Sequence, residues 1–371
     1  MPSYNDLRPD SDHNKREYAL IFPDMTMTER KRAIRGILRL KEALDNDISA
    51  RHTDGNLLIA SWNIKEFGHT QQRLPEAYFY IAEVVSRFDL VIVQEIKTGL
   101  DDLQILLRIL GDDWDYIVND ITSGTDGNSE RSAYLYNAKR VKLSGTVGEL
   151  VLWDDITRDS EIKQLKRTPY LTGFRAGWKE FALLNLHLQP NKSEAAVAYR
   201  KEEVRLLLAA LEKKMGETWT KNLIIAGDFN FYRNHDDETI SMIEDAGFFE
   251  VDRLVGLNTN AADKEAFDRM FIRKNDYFKI VRDDQGSRVG GVFDPFDSVY
   301  RDGDVDSYRG RLKEDYGGTM PPEEFAVNEK KQNSYYRHPW RRNQLSDHLP
   351  IWFELKIDSS VRFLEDKLEQ L

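Results

Sequence analysis

Short apolar runs alternate with amphipathic stretches along this chain, and this alternation limits its fold more than any other feature. Apolar residues recur at helical spacing in Tyr78–Val85, Leu103–Leu110 and Val204–Leu211. Between such stretches lie runs with the length and composition of buried strands: Leu57–Trp62, Leu90–Val93, Ala133–Tyr136, Phe181–Leu186, Leu223–Ala226, Met270–Ile272 and Ile351–Leu355. Strands and helices that alternate in this order indicate a layered α/β domain.

Composition excludes several classes of protein and of site. The 371 residues include 53 basic and 64 acidic side chains, which gives a net charge of −11, and no cysteine. Disulfide frameworks and thiolate metal sites are therefore excluded, and the acidity argues against a broad nucleic-acid-coating surface, although a local basic patch is compatible with it. No apolar run approaches the ~20 residues of a membrane span, and no signal sequence opens the chain. We therefore expect no membrane span and a cytoplasmic location.

Changes in pattern predict the domain organisation. Residues 1–55 are expected to form an N-terminal helical extension, with a capping box at Thr26 and Glu29. Its apolar stripe is predicted at Ile34, Ile37, Leu38 and Leu44, and its basic cluster Arg30-Lys31-Arg32 is interpreted as a solvated face, with a polyanion contact as the alternative. The main domain is predicted over residues 56–357, interrupted by an ordered Gly-, Asp- and Tyr-rich insertion at residues 275–343. Residues 358–371 are expected to form a C-terminal helix that packs on the domain.

Polar residues capable of metal binding and proton transfer follow the predicted strands. They are Asn63, Gln94-Glu95, His187, Asp228-Phe229-Asn230 and Ser346-Asp347-His348. Ligands gather at the carboxyl ends of strands in open α/β folds, and this set of amides, carboxylates and imidazoles suits Mg²⁺. Taken alone, each residue is better explained as a turn former, a helix cap or a satisfied structural residue than as a catalyst. Their joint occurrence in this order is what favours a catalytic site.

The same residues belong to segments that resemble a known family. Ser61-Trp62-Asn63, Val93-Gln94-Glu95, Leu186-His187, Gly227-Asp228-Phe229-Asn230 and Ser346-Asp347-His348-Leu349-Pro350 are similar to the successive motifs of the endonuclease/exonuclease/phosphatase superfamily. Ser129-Glu130-Arg131 and Phe267-Asp268-Arg269 bring the similarity closest to the deoxyribonuclease I branch. The resemblance covers roughly residues 56–274 and 344–357. It implies a four-layer sandwich, in which two mixed β-sheets pack face to face with helices outside.

The resemblance also implies a role for each matched residue. Glu95, Asn63 and Asp347 match metal ligands, for Mg²⁺ or Mn²⁺. The paired catalytic histidines are His187 and His348, and they are oriented by Glu130 and Asp268, respectively. Asp228 and Asn230 match the pair that orients water and phosphate. Whether His348 or Asp228 takes the proton from water stays open at this point.

Basic residues bear on the substrate. Lys97 and Arg131 lie where the deoxyribonuclease branch places cations against the DNA backbone, whereas Asn128 replaces its groove-contacting tyrosine. Arg337, Arg341 and Arg342 alternate with aromatic residues just before the Ser346-Asp347-His348 motif. These arginines either contact phosphate beside stacked bases or anchor the insertion on the domain.

The leading hypothesis from the sequence is a divalent-metal-dependent phosphodiester hydrolase, specifically a DNA endonuclease that leaves 5′-phosphate and 3′-hydroxyl ends. DNA is the expected partner, with RNA or a small phosphate ester as alternatives. The second hypothesis is a phosphodiesterase or phosphatase that acts on a small molecule or a phospholipid headgroup. The acidity of the chain fits this hypothesis better than it fits a DNA endonuclease. A catalytically inactive binding module is disfavoured, because every matched position holds a chemically competent residue.

Overall fold

Two six-stranded β-sheets form the centre of the fold in the computed structural model. The structure describes residues 1–9, 11, 20–48, 53–68, 73–121, 129–215, 221–273 and 275–371. The strands are β1 (Asn56–Phe67), β2 (Leu90–Ile96), β3 (Trp114–Val118), β4 (Arg131–Asn137), β5 (Lys142–Glu149), β6 (Tyr170–Ala176), β7 (Lys179–His187), β8 (Leu223–Asp228), β9 (Phe248–Glu250), β10 (Asp268–Arg273), β11 (Gly290–Val292) and β12 (Ile351–Lys356). The first sheet has the order β11-β12-β1-β2-β4-β3, and the second has the order β5-β6-β7-β8-β10-β9. Both sheets are mixed, because β1–β2 and β7–β8 are parallel whereas their other pairs are antiparallel.

Helices lie outside both sheets. They are α1 (Met27–Asp47), α2 (Pro75–Arg87), α3 (Asp101–Leu110), α4 (Glu194–Met215), α5 (Asp237–Asp245), α6 (Arg309–Asp315), α7 (Pro322–Val327), α8 (Glu329–Tyr335), α9 (Arg341–Gln344) and α10 (Ser360–Gln370). The first three share a core with the first sheet, and α4 and α5 share a core with the second. The predicted four-layer sandwich of two mixed sheets with helices outside is therefore confirmed. Within the described ranges, no helix is long and apolar enough to cross a membrane.

The central strands are buried on both faces. In β1, Leu57 and Ile59 point into the core between the sheets, whereas Leu58 and Trp62 pack against the outer helices. A strand covered on both sides needs apolar residues at nearly every position, which explains the continuous apolar runs in the sequence. Each of the predicted runs lies within an observed strand.

The sequence did not predict β3, β5, β6, β9 and β11. The clearest case is β5, an edge strand whose residues are half-buried or exposed. Its polar, Gly-containing sequence lacks the apolar run that marks a buried strand. The side chains of an edge strand are partly exposed to solvent, so the strand does not need a continuous apolar run. A search for apolar runs therefore misses such a strand.

The N-terminal helix has the predicted capping box, in which Thr26 and Glu29 each accept a hydrogen bond from the other's backbone. Its predicted apolar stripe is wrong at two positions, because Ile34 and Leu38 are 38% and 63% exposed. The buried face instead consists of Ala33, Ile37, Leu40 and Leu44, which pack in the same core as α2.

The basic cluster on this helix is not simply a solvated face. Arg30 is buried and donates to the carbonyl of Arg8, and Arg32 makes a bidentate ion pair with Glu76 of α2. Of the three basic residues, Lys31 alone is exposed.

Residues 275–343 are ordered by aromatic packing. Phe293, Phe296 and Tyr300 are buried against the first sheet and its helices, and Tyr316 stacks on Phe325 at 3.7 Å between ring centroids. Part of this segment, β11, extends the first sheet by pairing with β12. The segment therefore belongs to the body of the fold.

The C-terminal helix forms as predicted, but its apolar stripe does not pack on the domain. Val361, Leu364 and Leu368 are 66%, 65% and 77% exposed. The helix contacts the domain through Phe363 instead, whose ring packs against Trp178. Phe363 is not part of the apolar stripe.

Candidate active site

Strand pairing brings the predicted site residues to one end of the sandwich. In the first sheet, Asn63 of β1 lies in register with Gln94, directly before Glu95. In the second sheet, Asp228 of β8 lies opposite His187 on one side and Asp268 on the other. The candidate site therefore draws side chains from both sheets.

The first histidine is held by a carboxylate. Nδ1 of His187 lies 3.1 Å from Oε2 of Glu130, which also accepts from Nε of Arg167 at 2.9 Å. Lys97 donates to the other oxygen of Glu130 at 3.2 Å. Burial opposes ionisation of Glu130, but its bond to His187 and the charges of Arg167 and Lys97 outweigh burial and hold its pKa well below the usual range. These groups therefore favour the ionised form of Glu130 against the imidazole.

The second histidine has an equivalent partner. Nδ1 of His348 lies 2.8 Å from Oδ2 of Asp268, and the same oxygen accepts from the hydroxyl of Thr259. Burial lowers the pKa of His348, but the nearby carboxylates of Asp268 and Asp228 raise it well above the usual value. These carboxylates therefore favour the protonated form of His348.

Both imidazoles turn their second nitrogen toward the same carboxylate. Oδ2 of Asp228 lies 3.5 Å from Nε2 of His187 and 3.7 Å from Nε2 of His348. Its Oδ1 accepts from the backbone N–H of Asn230, a residue in the left-handed region at φ 51°. Residues held in such conformations cluster at functional sites. Two oriented proton-exchanging groups and one anion therefore face a common point.

Residues from both sheets form a site that fits a divalent cation. Glu95 has a backbone φ of 60°, in the left-handed region. Its carboxylate accepts hydrogen bonds from Nδ2 of Asn63 at 3.0 Å and from the backbone N–H of Glu66 at 3.1 Å. Oδ1 of Asn63 is buried and lacks a hydrogen-bond partner among the described residues. Ligand atoms of Glu95, Glu130 and His187 lie within 4.8 Å of one another. An oxygen-rich set with one unused buried acceptor matches the preference of Mg²⁺ or Mn²⁺.

A second cluster whose geometry suits a metal ion consists of Asp228, Asp268 and His348.

Asp347, predicted as a further metal ligand, has a 39% exposed side chain, and its carboxylate lies 3.6 Å from Nζ of Lys65. Lys65 follows Asn63 by two residues on β1. Asp347 is therefore attached to the strand that carries Asn63.

The predicted phosphate-binding cations divide into two groups. Lys97 makes an ion pair with Glu130, Arg131 donates to the carbonyl of Asn119 and lies 3.7 Å from Asp120, and Arg342 interacts electrostatically with Asp347. Arg337 and Arg341, by contrast, make ion pairs with Asp302 inside the insertion. Asp302 carries one negative charge against these two guanidinium groups, so their binding of substrate phosphate stays a prediction. Asn128 lies outside the described residues.

The sequence reasoning missed Arg167 and assigned no role to Ser346. Arg167, which holds Glu130, lies 37 positions further along the chain and precedes β6 without a motif of its own. Ser346 is buried; its hydroxyl donates to the carbonyl of Asn63 and accepts from the N–H of His348. Ser346 was part of a recognised motif, so its position was signalled although its role was not.

Comparison with known proteins shows which family of sequences this chain is similar to. The sequence model of the Endonuclease/Exonuclease/phosphatase family matches residues 60–248, just over half of the chain. Deoxyribonuclease gamma of Rattus norvegicus is 25% identical over 194 residues, and deoxyribonuclease-1 of Bos taurus is 26% identical over 183 residues. These matches span 49% and 47% of this chain and only 58% and 61% of the relatives' own lengths.

A solved structure supports the fold independently. The crystal structure of an endonuclease/exonuclease/phosphatase family protein from Bacteroides thetaiotaomicron aligns with a TM-score of 0.51 and 17% sequence identity. The alignment covers 83% of this chain and all of that one. At this identity the likeness concerns the fold.

Proposed function

Since the chain belongs to the endonuclease/exonuclease/phosphatase family, we propose that it is a divalent-metal-dependent hydrolase of phosphodiester bonds, and specifically a DNA endonuclease. Cleavage would leave 5′-phosphate and 3′-hydroxyl ends. The observation that carries the proposal is the pair of carboxylate-held imidazoles, His187 and His348, whose Nε2 atoms face Asp228 at 3.5 and 3.7 Å.

The proposed roles follow from the contacts of each side chain. Asn63, Glu95 and Asp347 would hold the cation, which when bound neutralises charge on the phosphate oxygens. His348, with its raised pKa, donates a hydrogen bond from Nε2 to a phosphate oxygen as charge develops there.

Asp228 and His187 of the second sheet have proposed roles in orienting water and in transferring protons. Asp228 lies between the two Nε2 atoms and is fixed by Asn230 and Asn63, so it is placed to orient an attacking water. His187 is placed to accept or donate a proton at Nε2 while the Glu130 carboxylate holds its ring.

Local cations support DNA as the substrate despite the net charge of −11. Nε of Arg131 and Nε of Arg342 are buried and lack a hydrogen-bond partner among the described residues. Guanidinium groups bind phosphate oxygens through N–H donors that lack other partners, although Nη1 of Arg131 donates to the carbonyl of Asn119 and lies 3.7 Å from Asp120. The curated relatives named deoxyribonucleases point to the same substrate class.

The test is cleavage of supercoiled plasmid with Mg²⁺ or Mn²⁺, and with EDTA as the metal-free arm. We expect nicking by the wild-type protein to need metal and to fall at least ~100-fold in His187→Ala and in His348→Ala. His235→Ala is the matched control, because His235 is exposed, and it should cleave like wild type.

A phosphodiesterase or phosphatase for a smaller substrate is the second candidate. The acidity of the chain and the internal ion pairs of Arg337 and Arg341 favour it. Intact plasmid together with hydrolysis of bis-p-nitrophenyl phosphate, lost in both histidine variants, would move the substrate to this class. Failure to hydrolyse either substrate by the folded protein would contradict both candidates and leave a binding module.

A further inference from the structure

A cavity of about 360 Å³ lies between α1 and the insertion, and it shares no residue with the paired-histidine site. We call it the α1 pocket. Its helical wall includes Lys31, Arg32, Arg35 and Arg39, and its opposite wall includes Tyr300 and Asp304. Lys31, Arg35 and Arg39 are four residues apart, so they project from one face of α1.

The α1 pocket carries unbalanced positive charge. Arg32 is neutralised by Glu76, and Arg39 lies 3.5 Å from Asp304. Lys31 and Arg35 are exposed, and neither has an ion-pair partner in the described part of the chain. Two cations therefore remain available in a chain whose overall charge is −11.

A buried tyrosine provides an independent sign of a ligand. Tyr300 is 1% exposed, and its hydroxyl is without a hydrogen-bond partner among the described residues. The neighbouring tyrosines of the same wall differ, because Tyr308 donates to Glu76 and Tyr80 donates to the carbonyl of Arg32. A buried hydroxyl left unpaired is costly, and its usual explanation is a ligand, ion or water that completes it.

We propose that the α1 pocket binds a phosphate group. Lys31 and Arg35 would neutralise it, Arg39 would add a guanidinium donor at the edge, and the Tyr300 hydroxyl would donate a neutral hydrogen bond. This chemistry fits the phosphate of a small ester and a backbone phosphate of a polynucleotide equally. The site goes beyond the proposed hydrolysis, since none of these residues contacts the paired histidines.

Binding is measured in EDTA, so that no turnover is needed and the result is independent of the proposed hydrolysis. The probes are inorganic pyrophosphate, followed by calorimetry, and a fluorescein-labelled single-stranded oligonucleotide, followed by anisotropy. We expect Lys31→Gln/Arg35→Gln to weaken binding ~10-fold or more, and Tyr300→Phe to weaken it ~5-fold. The control Lys330→Gln/Lys331→Gln removes the same charge from exposed positions on α8 and should bind like wild type.

The two probes separate the sources of the phosphate. Loss of pyrophosphate binding in both pocket variants supports a small phosphate ester, whereas loss of oligonucleotide binding alone supports a polynucleotide. Tyr300→Phe also guards against misfolding, because removal of an unpaired hydroxyl should leave the thermal midpoint unchanged or raise it. The proposal is overturned if neither probe binds, or if the pocket variants bind both probes as tightly as the charge control does.

Discussion

Arg167 shows how a single side chain outside every motif can influence a proposed catalytic group. It donates to Glu130, and with Lys97 it contributes to the low pKa of that carboxyl. Glu130 in turn contacts Nδ1 of His187. Arg167 is therefore expected to act as a positioning residue, through Glu130, on the imidazole.

Replacement Arg167→Met should lower the hydrolysis rate ~10-fold at neutral pH, as loss of a supporting contact usually does. It should also change the pH profile. Without the guanidinium the pKa of Glu130 rises, so Glu130 is protonated, and activity is lost, at a higher pH than in wild type. Rates measured from acidic to neutral pH, with both substrates of the functional test, would show the shift.

The matched control is Arg205→Met, which breaks an exposed ion pair with Glu202. It should leave both the rate and the pH profile unchanged. An acidic limb at the same pH in Arg167→Met and in wild type would contradict the positioning role.

The free energy of unfolding should depend on pH for the same reason. A carboxyl whose pKa is depressed in the folded state stabilises the fold at neutral pH, and this contribution is lost as the pH falls.

Among the elements, the pairing of β7 with β8 depends on one glycine. Gly227 has φ 141°, and a Cβ at this position would lie 2.0 Å from the carbonyl oxygen of Leu186 on β7. The next pair along the ladder is His187 opposite Asp228. Gly227 therefore allows the two strands to approach closely beside the proposed catalytic residues.

Gly227→Ala should lower the free energy of unfolding by at least ~2 kcal/mol, through backbone strain and the clash with β7. Urea unfolding followed by circular dichroism measures this loss. Gly303→Ala is the control, because a Cβ at Gly303 meets no atom within 4 Å. Equal unfolding midpoints for the two variants would contradict the close-approach argument.

For the molecule as a whole, the site exists only where the two sheets meet. Asn63 of the first sheet donates to Asp228 of the second at 3.1 Å, and Gln94 donates to Asn185 across the same interface at 2.8 Å. The first sheet is in turn supported by α2, on which α1 packs. Residues 1–55 are therefore expected to contribute to the stability of the catalytic fold itself.

Deletion of residues 1–52 should remove much of the stability of the molecule. The buried side chains of Ile37, Leu40 and Leu44 each contribute about 1.5–3 kcal/mol through burial, and their loss also exposes α2. The thermal midpoint and the hydrolysis rate should fall together. The control is deletion of residues 360–371, because α10 has no buried residue, and it should cost far less stability. A stable, active protein without residues 1–52 would mark them instead as a dispensable extension.

The sequence by itself determined the layered α/β architecture and most of the proposed catalytic set. Buried strands such as β1, β2, β7 and β8 need continuous apolar runs, so the chain records them locally. The polar residues that follow those runs, among them Asn63, Glu95 and His187, were recognisable because strand and motif are adjacent in sequence. Resemblance to a family added the pairing of His187 with Glu130 and of His348 with Asp268.

Only the tertiary structure decided which charges are available to a ligand. Arg341 and Arg342 are neighbours in sequence, yet Arg341 makes an ion pair with Asp302 whereas Arg342 interacts electrostatically with Asp347. The contact of Arg167 with Glu130 and the lining of the α1 pocket join segments that are distant in sequence. The exposure of the edge strand β5 and of the apolar stripe of α10 also depends on which other segments pack nearby. Such contacts are fixed by how the layers pack, and packing between remote segments leaves no periodic or local signal in the chain.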